Sequence, residues 1–301
     1  MAKRKIVDAH HHLWDLGRGY NYPWLQDTPS GEGMLGNLAP IARDYLLRDY
    51  RADTANYDVA GSVHIEAVPA NPVIETRWLQ EMTKSEGLPS AIVARVELRK
   101  PDTEKVIAEH VTFQKVRGIR QIVNWHQNPK YTFTDHDFLT DDAWLASFRL
   151  LRKYKLSFDL QLFPAQMGDA VELARRNPET LIVVNHTGMP IERDEAGLAL
   201  WRDGIKRLGA EPNIVAKISG LGMVDWSWSE ASIRPFVLGV IDQFGVDRVM
   251  FGSNFPVDKL YSSFDTLYGS FESIVASFSE SEKDQLFRDN AIRHYRLRAE
   301  A

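Results

Sequence analysis

The chain contains no cysteine among its 301 residues. Disulfide bonds and thiolate metal sites are therefore excluded, so histidine, aspartate, glutamate or a modified lysine must supply the ligands of any metal site. No stretch approaches the roughly eighteen apolar residues of a membrane span. The basic N-terminus is followed at once by charged and histidine residues rather than by the apolar segment of a signal peptide. These absences predict a cytoplasmic protein without a membrane partner.

A strong charge excess is also lacking. The 36 basic residues are offset by 41 acidic ones, and the net charge of -5 gives no electrostatic reason to expect nucleic-acid binding. Apolar residues make up 44% of the chain and charged residues 26%, which is typical of a globular protein with a substantial core. We therefore expect a small-molecule partner. The sequence is compatible with a homo-oligomer but does not fix the oligomeric state.

No linker or break in composition divides the chain, and no G-x-G-x-x-G turn of a dinucleotide-binding fold follows the first strand. Eight strand-like segments alternate instead with helical patterns, which favours a (β/α)8 TIM barrel over a doubly wound open sheet. Such a barrel needs about 250 residues, so we expect residues 1–301 to form one domain. Residues 15–58 form a long excursion, which fits a lid and a structured surface segment equally well.

The eight segments differ in how regularly apolar and polar residues alternate along them, but each is short and bounded by turn or helix signals. The predicted strands cover residues 5–14, 59–68, 91–98, 116–125, 156–162, 181–187, 214–221 and 248–255. The last helical pattern is predicted over residues 280–295.

The first predicted strand contains a pair of histidines. Because alternate side chains of a strand share a face, we expect one face to carry Asp8, His10, His12 and Trp14. Two imidazoles one strand repeat apart can converge on one metal ion, whereas a lone histidine more often packs in a core or faces solvent. Grouping neutral imidazoles beside a carboxylate carries a free-energy cost of desolvation unless a ligand or hydrogen bonds offset it. We therefore interpret His10 and His12 as site residues.

Polar side chains also end other predicted strands, and the carboxyl ends of barrel strands form one rim. They are Glu66 on the second strand, Arg120 on the fourth, Gln161 on the fifth, His186 on the sixth, and Ser253 with Asn254 on the eighth. Arg120 suits an anionic substrate because its fork matches a carboxylate. The alternative is a structural ion pair between Arg120 and either Glu66 or Glu97.

Five segments spread in order along the chain carry a family resemblance. They are residues 8–14 (DAHHHLW), 185–190 (NHTGMP), 217–221 (KISGL), 250–256 (MFGSNFP) and 290–295 (NAIRHY). This ordered set resembles the amidohydrolase superfamily, in particular the amidohydrolase-2 group with its pyrone-dicarboxylate, rhamnonolactone and fuconolactone lactonases. The resemblance implies a distorted TIM barrel and a hydrolase that opens a lactone of a small carboxylated or sugar-derived substrate.

The resemblance also implies roles for single residues. The histidines matching His10, His12 and His186 would bind one divalent ion, zinc or manganese, or polarise the reacting carbonyl. Some members of the group work without metal, so cofactor use stays open. The candidate substrate-binding residues are Arg120, Gln161 and Trp14, and the candidate catalytic residues are His186, Glu66, Asn254 and Asp258.

One position departs from the family pattern. Members usually carry an aspartate after the eighth strand, as metal ligand or as base, and this chain has Asn254. An amide is no practical base and is a poorer, neutral ligand. Asp258 or Glu66 would then supply the carboxylate. The alternatives are a loop carboxylate for Asp258 and an ion-pair partner of Arg120 for Glu66.

Two other functions remain compatible with these residues. One is a decarboxylase of an unsaturated acid on the same barrel, which would release carbon dioxide. The other is a catalytically silent small-molecule binding barrel that has lost its base at Asn254, which would bind a ligand without turnover.

Overall fold

The strands of the computed structural model form one parallel eight-stranded sheet in sequential order, within the described residues 3–27 and 33–297. The strands are β1 (Lys5–His11), β2 (Asp58–Ile65), β3 (Ala91–Arg95), β4 (Val116–Ile122), β5 (Ser157–Gln161), β6 (Ile182–Val184), β7 (Ile214–Ile218) and β8 (Val249–Phe251). Their core segments are rich in valine and isoleucine and buried on both faces, as expected for parallel strands covered by helices.

The sheet closes between β1 and the segment that follows β8. His11 and Phe255 form a parallel bridge. The backbone N–H of His12 donates to the Phe255 carbonyl at 2.7 Å, and the N–H of Asn254 donates to the His10 carbonyl at 2.7 Å. We call this junction, residues 10–12 against residues 253–255, the barrel seam. The closed parallel sheet confirms the predicted (β/α)8 TIM barrel.

Helices surround the barrel and connect successive strands. They are α1 (Pro23–Gln26), α2 (Leu47–Asp53), α3 (Pro72–Glu86), α4 (Thr103–His110), α5 (Asp142–Phe148), α6 (Leu150–Lys153), α7 (Met167–Arg176), α8 (Glu195–Gly209), α9 (Glu230–Phe244), α10 (Phe264–Ile274), α11 (Glu280–Asp284) and α12 (Asn290–His294). Side-chain caps start several of them, such as Asp194, which accepts from the Gly197 N–H at 2.8 Å. In the described parts of the chain, no helix is both long and apolar enough to cross a bilayer.

The core has two parts. The barrel interior is filled by side chains from six strands and by two residues of the C-terminal segment: Val7, Ala9, Val63, Ile65, Ala91, Val93, Val183, Val215, Met250, Ala291 and Tyr295. A larger apolar layer lies between the strands and the helices and includes the aromatic group of Trp144, Phe148 and Phe158. The C-terminal segment therefore forms the floor of the barrel, opposite the carboxyl ends of the strands.

Most strands are shorter than the sequence predicts, because the rim residues Glu66, His186 and Asn254 follow the ends of their strands, whereas Arg120 and Gln161 lie within β4 and β5. The predicted helix 280–295 is interrupted by a π-helical turn, Gln285–Asp289, between α11 and α12. The excursion 15–58 contains α1 and α2 and packs over the barrel mouth, while residues 28–32 of it lie outside the described residues.

Candidate active site

Three histidines from two distant parts of the chain meet at the mouth of the barrel. The ring centroid of His10 lies 5.0 Å from that of His12 and 4.4 Å from that of His186. All three side chains are almost wholly buried. The structure thus brings together the imidazoles that the sequence analysis places on the first and sixth strands of one rim.

A β-bulge in β1 turns His10 toward the other imidazoles. Asp8 pairs with Ser62 and His11 pairs with His64, so Ala9 and His10 together face one residue of β2. The extra residue shifts the alternation of the strand. Val7 and Ala9 point into the barrel below the bulge, whereas His10 and His12 contribute to the cluster above it.

The prediction that Asp8, His10 and His12 share one face of β1 is wrong, because the bulge lies between Asp8 and the two histidines. Asp8 points outward, where its carboxylate accepts from the hydroxyl of Tyr50 on α2 at 3.0 Å. On β2 the polar Ser62 and His64 also point outward, and both lie close to His11. Below the mouth, the barrel interior is mainly apolar, and the buried ion pair of Lys217 with Asp159 is an exception to this.

His186 is presented by strained backbone at the end of β6. His186 and the two non-glycine residues Thr187 and Met189 all have positive φ angles, of 54°, 58° and 43°. Such angles are costly for L residues and persist where the surroundings impose them. Gly220, itself at φ 64°, leaves room for the ring, since a Cβ there would lie 2.4 Å from His186 Nδ1.

Burial keeps the three imidazoles neutral. It lowers the pKa of His10, His12 and His186 well below the ordinary value of 6.5. The nearby cation Arg120 lowers all three pKa values further, and Lys217 lowers those of His10 and His186. His12 Nδ1 lies 2.8 Å from the Ile65 carbonyl, which can only accept, so Nδ1 carries the proton. The lone pair of His12 Nε2 therefore faces the amide oxygen Oδ1 of Asn254, 3.2 Å away, so that two hydrogen-bond acceptors meet there.

Asn254 and Asp258 lie side by side behind the cluster. The amide nitrogen of Asn254 and both carboxyl oxygens of Asp258 are buried without a hydrogen-bond partner among the described residues. Burial raises the pKa of Asp258 from 3.8 to about 7, and the nearby Asn254 amide and the backbone of Gly220 and Gly222 offset this only in part. Asp258 is thus the carboxyl group whose ionisation falls near neutral pH.

Arg120 and Glu66 form a buried ion pair in the same wall. Arg120 Nε donates to Glu66 Oε1 at 2.7 Å, and its two other contacts are with the Glu66 carbonyl and with Gln161 Oε1 at 3.2 Å. The Val68 N–H donates to the other Glu66 oxygen at 2.7 Å. Glu66 is therefore held as the partner of Arg120, the alternative raised from the sequence, and its oxygens are not directed at the histidines.

Arg120 nevertheless keeps donors for a ligand. A guanidinium has five N–H groups, and three of them make the contacts above, which leaves two without a partner in the described ranges. Arg95 of β3 extends the positive wall, with its guanidinium 3.9 Å from Glu66 and 3.2 Å from Glu97.

These groups line a cavity of about 750 Å³ at the barrel mouth. Of the predicted site residues it exposes His12, His186, Asn254, Arg120 and Gln161. The cavity is also lined by residues that the sequence did not mark, because neither motif nor periodicity distinguishes them: Trp24, Arg95, Phe133, His136 and Phe138. Its size and mixed lining suit a small organic molecule.

Four predicted site residues do not line the cavity. His10, Glu66 and Asp258 lie behind the wall, at 0%, 0% and 1% exposure. Trp14 is wholly buried away from the cavity, where its indole N–H donates to the Arg43 carbonyl at 2.7 Å and its ring packs against Tyr22, Trp24 and Tyr45. The structure thus gives Trp14 a packing role, because the excursion folds over it.

Part of the excursion, residues 33–38, crosses the cavity mouth as a strap. The indole N–H of Trp226 donates to the Met34 carbonyl at 3.1 Å, and the Tyr261 hydroxyl donates to the Leu35 carbonyl at 2.9 Å. Gly36, at φ 67°, lies against the Trp226 ring, since a Cβ there would be 2.9 Å from it. Two side chains from other loops therefore hold the strap in place.

We expect Trp226→Ala to loosen this strap. Loss of one neutral hydrogen bond is worth about 1 kcal/mol, which corresponds to an opening about fivefold more populated. Limited chymotrypsin digestion, which follows the open population when closing is fast, should cleave after Leu35 about fivefold faster. Leu200→Ala, another exposed apolar side chain, serves as the control, and equal cleavage in both variants would contradict the anchoring role of Trp226.

The donor chemistry of the cluster suits a divalent cation. His10 has both ring nitrogens buried without a partner in the described residues, and its neighbours are neutral imidazoles. As the side chains stand, however, no group of three or more His, Cys, Asp or Glu in the described ranges is arranged to hold a metal ion. The cluster therefore contains side chains that can bind a metal ion, but they are not arranged around a common metal position.

The chain is similar to known proteins over nearly its whole length. Residues 7–297 match the family model described as amidohydrolase. A relative from Sinorhizobium fredii, called uncharacterized protein y4mH, is 42% identical over 99% of this chain and all of its own. The L-fucono-1,5-lactonase of Burkholderia multivorans is 29% identical, over 97% of this chain and 96% of its own.

A solved structure shows the same architecture. An amidohydrolase from Burkholderia multivorans, crystallised with bound zinc, superimposes with a TM-score of 0.80 at 28% identity, covering 99% of this chain and all of its own. The family model spans nearly the whole barrel, from β1 to the C-terminal segment behind its floor. This chain belongs to the amidohydrolase family.

Proposed function

We propose that this protein hydrolyses a lactone of a small carboxylated or sugar-derived compound. The observation that carries the proposal is the joint placement of neutral imidazoles and a buried arginine in one cavity at the barrel mouth. Neutral imidazoles can polarise or accept protons, and Arg120 has free donors for a carboxylate or ring oxygen. The similarity to an L-fucono-1,5-lactonase supports the choice of a lactone over other hydrolysable groups.

Each of these side chains has its own role in the proposed reaction. The lactone lies against Arg120 and Gln161, with its carbonyl toward His186. The lone pair of His12 Nε2 and the amide oxygen of Asn254 lie 3.2 Å apart and accept hydrogen bonds from the attacking water. Asp258, half ionised near pH 7, does not reach the cavity, so a second water bound to its unpartnered oxygens carries the proton from the attacking water to this carboxylate. The water oxygen bonds to the carbonyl carbon, the ring C–O bond breaks, and the ring oxygen takes the proton back from Asp258 by the same route.

The product is a hydroxy acid, which ionises and releases one proton per bond cleaved. Glu66 has a positioning part in this scheme, because it fixes the Arg120 guanidinium from two sides. Asn254 orients water but does not remove its proton, which an amide cannot do at neutral pH.

A divalent ion, zinc or manganese, fits the proposal as a resident cofactor. His10, His12 and His186 would hold it, and such an ion would polarise the carbonyl and lower the pKa of water. The zinc-bound relative supports this part of the proposal. Elemental analysis of the purified protein, independent of any activity, would measure whether zinc or manganese is present at one equivalent per chain.

A pH-indicator assay against sugar lactones and muconolactone-type compounds tests the function. We expect proton release with at least one of them, with or without added zinc or manganese. Arg120→Lys keeps the positive charge facing Glu66 but loses the planar guanidinium, which can donate two parallel hydrogen bonds to a carboxylate. KM should therefore rise about tenfold for a carboxylated lactone and little for a neutral one.

The other outcomes point to other functions. Carbon dioxide release from an unsaturated acid would replace hydrolysis by decarboxylation. Saturable binding of the lactones by the folded protein without proton release would identify a silent binding barrel.

A further inference from the structure

Asp8 is a buried carboxylate that touches neither the cavity nor the histidine rings. It lies wholly buried on the outer face of β1, between the barrel and helices α2 and α10. Its oxygens accept from five donors: the backbone N–H of His10 at 3.2 Å and of Ser253 at 2.8 Å, and the hydroxyls of Ser253 at 2.6 Å, Tyr50 at 3.0 Å and Tyr268 at 3.4 Å. So many donors hold this one carboxylate in a fixed position.

Two of these donors belong to opposite sides of the barrel seam. The His10 N–H is part of the bulge in β1, and the Ser253 N–H precedes Asn254 on the other side. A single oxygen, Asp8 Oδ1, accepts both. The Ser253 hydroxyl extends the link, since it accepts from the Phe255 N–H at 3.0 Å. Asp8 therefore connects the backbone that presents His10 to the backbone that presents Asn254.

The bulge is also held from inside the barrel. The Lys217 ammonium donates to the Ala9 carbonyl at 3.2 Å from the opposite face of β1. The Ala9 carbonyl and the His10 N–H belong to one peptide group inside the bulge, and this group is thus fixed from both faces of β1. Without the outer contact, the strand could return to regular alternation, which would turn His10 away from His186.

We propose that Asp8 is a positioning residue for the hydrolytic reaction. Its carboxylate holds the bulge and the Ser253–Asn254 turn at fixed spacing, and thereby sets the distance between the imidazoles and Asn254. Charge-assisted hydrogen bonds to backbone N–H groups suit this purpose because they are short and directional. The inference rests on the proposed lactone hydrolysis and adds a residue that acts through others rather than on the substrate.

The test compares Asp8→Asn with Tyr268→Phe. The asparagine keeps the size of the side chain but removes its negative charge, and its NH2 group must face either the N–H groups of His10 and Ser253 or the hydroxyls of Ser253 and Tyr50. Tyr268→Phe removes only the longest contact and leaves those at the seam in place. Because small misplacements at a reacting centre cost up to about 100-fold in rate, we expect Asp8→Asn to lower kcat at least about tenfold with KM within about twofold. Tyr268→Phe should keep both constants within about twofold.

A second measurement separates this inference from the proposed function. The imidazole signals of His10 and His12, followed by NMR in the folded protein, should move in Asp8→Asn and stay in place in Tyr268→Phe, whether or not a lactone is turned over. Unchanged signals, an unchanged kcat, or an equal loss in both variants would overturn the positioning role. If Asp8→Asn does not fold, Ser253→Ala removes the shortest contact and must give the same pattern.

Discussion

Asp258→Asn is expected to lower kcat for lactone hydrolysis by about 10²–10⁴-fold, the range found when a general base is removed. The amide has nearly the same shape but cannot take a proton from water. In the unmodified protein kcat should rise with pH through about 7, because burial places the pKa of Asp258 there and only the ionised form is a base. The variant should lack this rise. Initial rates between pH 5 and pH 9 measure both effects.

The same carboxyl group makes a prediction about stability. The folded-state pKa of about 7 lies above the ordinary 3.8, so the folded protein binds this proton more tightly than the unfolded chain. The resulting stability is complete at low pH and is lost as the pH rises from about 4 to about 7. The loss approaches about 4 kcal/mol. Asp258→Asn should therefore raise the melting temperature at pH 8 relative to the unmodified protein, and by much less at pH 4.

Asp242→Asn, on the exposed side of α9, is the matched control and should change neither the rate nor the pH dependence of melting. If Asp258→Asn retained both kcat and the rise in kcat near pH 7, the base would have to be another group.

Lys217→Met is expected to destabilise the fold by about 3–5 kcal/mol, because it leaves the carboxylate of Asp159 charged and buried without its partner. The ammonium lies 2.5 Å from Asp159, and both side chains are wholly buried in the barrel. Burial lowers the pKa of Lys217 to about 8 although Asp159 acts in the opposite direction. Urea denaturation followed by circular dichroism would give the change in the free energy of unfolding.

The double variant Asp159→Leu with Lys217→Met distinguishes an unpaired charge from simple loss of packing. Removing both charges should cost less than Lys217→Met alone, although the Tyr295 hydroxyl and the Asn185 amide lose their acceptor. Lys153→Met, which breaks an exposed pair with Glu104, should change stability little. A double variant as unstable as the sum of its parts would contradict the electrostatic explanation.

The sequence predicts the barrel because its signals are repetitive. Apolar runs such as residues 182–184 recur between helical patterns, and a parallel sheet of eight such units has few other ways to close. The meeting of His10 and His12 with His186 follows from the same reasoning, since strand ends share one rim. An ion pair of Arg120 with Glu66 or Glu97 was the alternative to their roles in the site, and the structure shows the pair with Glu66.

Other features could not be read from the sequence. Strict alternation placed Asp8 beside His10, and the structure corrects this because one extra residue in a strand leaves no signal in the pattern of apolar residues. Trp14 is the last residue of the DAHHHLW motif, yet the excursion buries it, and the periodicity of the sequence does not predict how an irregular segment folds. The pair of Lys217 with Asp159 depends on strands that are not adjacent in sequence, so only the closed barrel shows it.

The floor of the barrel has a consequence for how the chain is made. Tyr295 reaches up from the C-terminal segment and donates to both oxygens of Asp159, at 3.0 and 2.9 Å. Tyr295 follows all eight strands along the chain, so during synthesis the central carboxylate lacks this hydroxyl partner until the segment beyond β8 has been added. A barrel with every strand present but without that segment would hold a less well bonded carboxylate at its centre.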